Sequence, residues 1–571
     1  MENTTVNASP RHRANLVGAI VVACVIGFWL LIPPVLGTQR AGTASIFRFF
    51  RQDTFYYLSV AANSRTGFYT FDGEHATTGF HPLWQAYITK LFELAPPDRT
   101  FQIHLVFWVS VVATVLGYIL AGLAVYAMTN SKLLGILTVP GPFNLLFAFV
   151  FPFAGSPWSF MNGMESPLTV LFGGMLFLLV SGYYNAPERL ESLKSFYVAT
   201  GIVLSLMVLS RLDDIFLPVA FAVCVLIPAG QSVKTRLGRA FLLVLPTALV
   251  MCLYIAFNFY HTHMFLPISG VMKAGIALWD NLGALLTTGS LQGIGSQFSP
   301  VAHLSNLYRQ IQMLFPPVAA ILFILIIVNG AAKESLRRSV FLISLLVYVI
   351  FKALYNFVNV HVNYQGVIWY YTYSILVINF TALVLFSGPY KRFCEFRTPI
   401  KAVSLLAVIC YFCANISIIS MIPLSGNTLE YNFWSAGSSI ADELQAKDPH
   451  VKIVEYEDGI INYALGLPTL HGLGFVLDRE AYEAKKRKRM LEHAHQRGYD
   501  TIGSLVYIRL PDENMTSQEI ERVLMRSPDF RGENLGDFTF KVLMIHKQTG
   551  ATFISFQPKQ QNVPDSSFLK P

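Results

Sequence analysis

Residues 52–84 read QDTFYYLSVAANSRTGFYTFDGEHATTGFHPLW, and the reading of the whole chain turns on them. They follow an apolar run, Ala14 to about Gly37, that is long enough to cross a bilayer. Asp53 stands a few residues past the membrane exit, beside Phe55, Tyr56 and Tyr57. Phe55, Leu58, Ser59 and Ala62 share a helical face, so residues 53–64 are expected to form a short helix in the headgroup region. Asp72 sits in a glycine-containing turn, and Thr78-Gly79-Phe80-His81-Pro82-Leu83-Trp84 closes the stretch. An acid at that depth, beside aromatic and cationic groups, suits action on a lipid-borne substrate. The same residues also suit a surface loop whose carboxylate is satisfied locally.

The 571 residues are 53% apolar and only 13% charged, with a mean hydropathy of +0.48. Soluble domains carry roughly 25% charged residues, so the chain reads as a polytopic α-helical membrane protein. The net charge of +8 lies mainly between apolar runs, as topology-setting loops require, and gives no sign of a nucleic-acid partner. The six cysteines fall within or beside apolar runs, including Cys410 and Cys413 in a C-x-x-C, and indicate neither disulfides nor zinc.

Hydropathy places about eleven spans near 14–37, 103–129, 133–153, 167–184, 196–210, 215–230, 240–260, 313–330, 339–358, 368–388 and 400–423. The fifth and sixth are short and share a tight turn. One set of connections is short and basic, which makes it and the N-terminus cytoplasmic. The other set is then extracytoplasmic: 38–102, 154–166, 211–214, 261–312, 359–367 and the polar tail after 423. Every polar cluster of interest falls on that second side, which points to one outward-facing site. A transmembrane domain is therefore expected over 1–423, with its first outer loop at 38–102, and an extracytoplasmic α/β domain over 424–571. In the tail, Ser438 to Ala446 and Arg479 to Arg497 read as helices. The runs from Val451, Phe538 and Ala551 read as strands, and Lys485 to Arg489 read as a solvated basic face.

Arg211-Leu212-Asp213-Asp214 lies between two apolar runs, where ionisable groups are costly unless paired or functional. It suits either an ion pair pinning a turn or an Arg211 that faces a lipid phosphate. Glu165 opens a span headed by Pro167, so it is either a helix-terminal acid or a ligand. Lys273, after His261 and His263, and Lys352, near the outer end of the ninth span, are further phosphate candidates.

At these residues the chain resembles the GT-C superfamily of membrane glycosyltransferases. The likeness is to bacterial members with Asp-Asp-x-x-Tyr-Tyr, Thr-Phe-Asp-Gly and Thr-Asn-Gly-Phe-His-Pro-Leu-Trp blocks, followed by Gly-Met-Glu, Arg-x-Asp and Pro-x-Ser-Gly-x-x-Lys. Here these stand as Gln52-Asp53-Thr54-Phe55-Tyr56-Tyr57, Thr70-Phe71-Asp72-Gly73, Thr77 to Trp84, Gly163-Met164-Glu165, Arg211-Leu212-Asp213 and Pro267 to Lys273. In the tail, Asp458-Gly459 and His471-Gly472-Leu473 are similar to further patterns of that group. Mycobacterial arabinofuranosyltransferases are more distant relatives. Two departures stand out: Gln52 replaces the first acid of the usual pair and Thr78 replaces an asparagine.

The resemblance implies a GT-C-like fold and an inverting transfer of a sugar from a polyprenyl-phosphate donor to a cell-envelope glycan or lipid acceptor. Asp53 would be the general base, and Lys273, Arg211 and Lys352 would hold the donor phosphate. Tyr56, Tyr57, His81 and Trp84 would line the sugar pocket, with Asp72, Glu165 and Asp213 also binding substrate. No cofactor is required, and a divalent cation, if used, would sit beside Asp53, Asp72 and Glu165. A transporter or flippase for a lipid-linked solute is the alternative, but it needs ionisable groups in mid-membrane, and the apolar runs hold almost none. An inactive glycan-binding scaffold, which Gln52 would suit, is the other.

Overall fold

Twenty or more apolar residues in lipid have one conformation that satisfies their own backbone, the α-helix. The computed structural model describes residues 10–50, 52–64, 68–139, 157–227, 231–273, 320–322, 324–326, 337–359, 371–395, 428–457, 459–473, 476–506 and 508–559. In chain order its main helices are α1 (Pro10–Ala41), α2 (Thr43–Phe49), α3 (Thr54–Asn63), α4 (Pro82–Leu94), α5 (Arg99–Thr129), α6 (Ser166–Asn185), α7 (Lys194–Ser210), α8 (Phe216–Leu226), α9 (Val233–Thr262), α10 (Ile268–Lys273), α11 (Val340–Asn359) and α12 (Thr372–Glu395). Among the described residues, six helices are long and apolar enough to cross a membrane: α1, α5, α6, α9, α11 and α12. The short fifth and sixth spans are α7 and α8, joined by a single 3-10 turn over Leu212–Ile215. The expected spans at 400–423 and most of 133–153 and 313–330, with Cys410 and Cys413, lie outside the described residues, as does the domain boundary at 423–424.

The tail continues with α13 (Leu429–Lys447), β1 (Ile453–Glu455), α14 (Ile460–Leu465), β2 (Thr469–His471), α15 (Arg479–Lys486), α16 (Met490–Gln496), β3 (Thr501–Ser504), α17 (Ser517–Arg526), β4 (Phe538–Ile545) and β5 (Thr552–Pro558). The five strands form one sheet in the order β2-β1-β3-β5-β4. The first three are parallel, and β5 runs antiparallel to both β3 and β4. In β4, Phe538, Phe540, Val542 and Met544 point inward while Thr539 and Lys541 are exposed, the alternation of a sheet covered on one face.

Three expectations are corrected. Residues 53–64 do form a helix, but α3 is buried on every side from Thr54 to Ala61 rather than showing one apolar face, because the tail covers its outer face. Residues 479–497 are two helices, broken where Lys488 adopts φ 58°. Lys485 is not on a solvated face: its ammonium donates to the Gly472 carbonyl and lies 5.6 Å from the Tyr456 ring centre.

The seat for α3 comes from sequence positions that look minor. Gly459, with φ 85°, comes so close that an added Cβ would lie 2.7 Å from the Phe55 carbonyl carbon and the Tyr56 nitrogen. Ser59 donates to the Gly459 carbonyl (3.0 Å) and Asn462 donates to the Phe71 carbonyl (2.8 Å). One apolar core therefore runs from Val22 and Phe107 in the spans through Phe55 to Phe433, Ile461 and Phe553 in the tail.

Candidate active site

Local structure puts Asp53 at the N-terminal position of α3, half-buried, with no capping bond from its carboxylate to the helix. Residues one turn apart on a helix share a face, and Tyr57 is one turn on. Burial pushes the Tyr57 phenol well above its usual value; Glu165 and Asp53 add to this and Arg211 opposes it. All four groups thus act within one electrostatic neighbourhood.

The Tyr57 hydroxyl donates to Glu165 Oε2 at 2.9 Å. The other oxygen of Glu165 takes Arg211 Nη1 at 2.7 Å and lies 3.7 Å from His81 Nε2. The Leu212 backbone N–H donates to His81 Nδ1 at 3.3 Å, which puts the proton of the neutral ring on Nε2, facing Glu165. Glu165 does stand at the head of α6, but its side chain makes no capping bond and crosses to Tyr57 and Arg211 instead. Gly163, at φ 73°, lets the turn before α6 press on Thr54, whose hydroxyl donates to the Asn162 carbonyl at 2.6 Å. Trp84 Nε1 donates to the Gly163 carbonyl at 3.0 Å from a fully buried position.

Across the site Arg211 Nε lies 2.9 Å from Asp213 Oδ1 and Lys352 Nζ lies 2.6 Å from Asp213 Oδ2. Lys352 also donates to Asp214 Oδ1 at 3.0 Å, which accepts from Tyr348 at 2.7 Å. Burial works against the charged Asp213, but Arg211, Lys352 and His81 hold its carboxyl well below the usual range. Buried charges persist only where paired in this way. Four carboxylates, Asp53, Glu165, Asp213 and Asp214, thus share the region with the side chains of Arg211 and Lys352.

The structure brings together Asp53, Tyr57, His81, Glu165, Arg211, Asp213 and Lys352 from the predicted set. It places two others elsewhere. Asp72 accepts from the Glu74 and His75 backbone N–H groups and sits 2.7 Å from His75 Nδ1, in a separate cluster facing the tail. Tyr56 turns to the sheet, its hydroxyl 3.2 Å from His471 Nε2. The side chain of Lys273 and the whole of Asp458 lie outside the described residues. Tyr348 was missed, and His471 was read only as part of the His471-Gly472-Leu473 pattern. Tyr348 stands four residues before Lys352 on one helix, a spacing that signals a shared face.

No family model and no curated protein matches the chain. Solved structures do. The oligosaccharyltransferase of Archaeoglobus fulgidus, tethered with an acceptor peptide, is 12% identical; the likeness covers 97% of this chain and 75% of that one at a TM-score of 0.48. ArnT from Cupriavidus metallidurans, bound to undecaprenyl phosphate, is 11% identical over 95% of this chain and 97% of its own, with a TM-score of 0.46. Both are GT-C glycosyltransferases. A second structure of the archaeal enzyme, AglB in complex with an inhibitory peptide and a dolichol-phosphate, is 13% identical over 98% of this chain and 76% of its own, at a TM-score of 0.47. At such identities the role of each side chain rests on the site's own chemistry.

Proposed function

We propose that the protein is an inverting glycosyltransferase that moves a sugar from a polyprenyl-phosphate donor to a cell-envelope acceptor at the extracytoplasmic membrane surface. The observation that carries this reading is the convergence of Asp53, at the head of the first-loop helix, with the Tyr57–Glu165–Arg211 chain and His81. Asp53 takes the proton of the acceptor hydroxyl as that oxygen attacks the anomeric carbon. The bond to the lipid phosphate breaks with inversion, and the phosphate leaves with the electron pair. A positioned base is worth roughly 10²–10⁴-fold, and positioning and charge stabilisation supply the rest.

Phosphate needs cations, and both buried ones are committed to carboxylates. Lys352 has three N–H donors, two of them directed at Asp213 and Asp214, and so can add a phosphate oxygen without breaking a pair. Lys273, at the end of α10, is the third cation assigned to the phosphate. Trp84 and Tyr56 act from behind the pocket by holding the 163 turn and the α3 seat. In this reading Asp53→Asn lowers transfer by at least ~10²-fold while donor binding and folding are retained. The assay is turnover of radiolabelled polyprenyl-phosphate sugars onto envelope acceptors by purified protein. Transfer unchanged in Asp53→Asn would sink the base assignment, and no transfer by the unaltered chain with any donor would sink the function.

A further inference from the structure

A cleft of about 730 Å³ opens where the 72–76 turn, the end of α9 and helices α15 and α16 meet. Its rim carries two overlapping groups of metal-ligating side chains, Asp72, His75 and Asp478, and Asp478, Glu480 and His493. Within each group the ligating atoms lie within 4.8 Å of one another. The groups come from distant parts of the chain, the first outer loop and the tail, and share Asp478.

Three observations bear on what this rim binds. First, charge is not balanced. Asp478 and Glu480 share one guanidinium, Arg497, which sits 2.6 Å from Asp478 Oδ2 and 2.8 Å from Glu480 Oε2, while Asp72 pairs with His75 at 2.7 Å. Arg487 and Arg489 nearby are paired with Glu483 and Glu492. Second, His493 Nε2 is shielded from solvent and has no hydrogen-bond partner among the described residues. A desolvated polar nitrogen left unmatched is costly. Third, the donor set is two imidazoles with carboxylates, a chemistry suited to Zn²⁺ and its neighbours rather than to Mg²⁺ or Ca²⁺.

We infer that this rim is a transition-metal site of the Zn²⁺ class, centred on Asp478, with His75 and His493 as nitrogen ligands and Asp72 and Glu480 completing the shell. Arg497 stands in for the ion when it is absent and yields an oxygen of Asp478 when it binds. The ion ties the first outer loop to the tail at the edge of the cleft. It is distinct from the Asp53 site, and no catalytic step passes through it.

The test uses full-length protein in detergent, stripped with a chelator and titrated with Zn²⁺ by calorimetry, with no donor or acceptor present. Its outcome is therefore independent of the transferase reading. One equivalent of Zn²⁺ is expected, together with visible Co²⁺ bands of nitrogen–oxygen coordination. His75→Gln and His493→Gln should each weaken binding by at least ~10-fold, and Arg497→Gln should strengthen it. Competition by Mg²⁺ on the unaltered chain gives a readout that needs no variant to fold. Absence of Zn²⁺ uptake, uptake indifferent to both histidine substitutions, or equal displacement by Mg²⁺ overturns the site.

Discussion

Glu165 spends its two oxygens on three partners: Tyr57 on one, and Arg211 and the more distant His81 on the other. That concentration makes Arg211 the keystone of the buried charges, since it faces both Glu165 and Asp213. Removing one member of a buried pair leaves an uncompensated charge and costs about 3–5 kcal/mol. Arg211→Met is therefore expected to lower the thermal unfolding midpoint sharply, and adding Glu165→Met should restore part of the loss. If the double substitution is as unstable as the sum of the two singles, the pair is not coupled. Of this cluster, sequence reading identified the acids and cations and offered an Arg211–Asp pair, but not the pairing with Glu165 or Lys352. Asp213 and Lys352 are 139 residues apart, and no local pattern announces a contact at that separation.

At the level of elements, α3 depends on a glycine more than 390 residues away. Gly459 has both a left-handed backbone and no space for a side chain, so Gly459→Ala must push α3 and carry Asp53 with it. A displacement of about 1 Å from catalytic geometry costs on the order of 10²-fold. Gly459→Ala should cut turnover by that order while membrane insertion and donor binding stay near normal. Turnover within twofold of the unaltered protein would show that the seat is not needed. Elements with a strong period were legible: the run from Phe538 to Ile545 alternates in sequence and forms β4 over those same residues. In the basic run from Lys485 to Arg489, residues 486–489 are exposed as read, and Lys485 alone departs because its partners are not local. Gly472 and Tyr456 draw Lys485 inward, while Lys488 breaks the helix that a pattern-based reading continues. Likewise α3 looks amphipathic when read alone and is buried all round because another part of the chain covers it.

For the molecule as a whole, polar clusters separate to opposite ends of the helical bundle. The Asp53 region lies at one end, and Glu191 with Arg239, Arg337 and Tyr183 gathers at the other. Loop charge alone anticipated this sorting. Spans and tail meet at His471, which is fully buried against Tyr56 and Phe71. Burial, with Lys485 next, lowers its pKa to about 3. A histidine kept neutral in this way contributes stability that is complete above the unfolded value of about 6.5. The contribution is lost as pH falls from there toward 3, by about 1.4 kcal/mol per pH unit. The apparent melting midpoint should therefore drop between pH 6.5 and 5, and His471→Gln should flatten that slope. An unchanged slope would mean that the junction does not sense the proton.

The shared core also bears on attempts to divide the chain. Tyr431 and Trp434 lean on Phe47, and Tyr463 leans on Phe55 while its hydroxyl donates to Gln102. A fragment beginning near Leu429 would come off the ribosome with those rings bare, and is expected to clump unless they are repainted with hydrophilic residues.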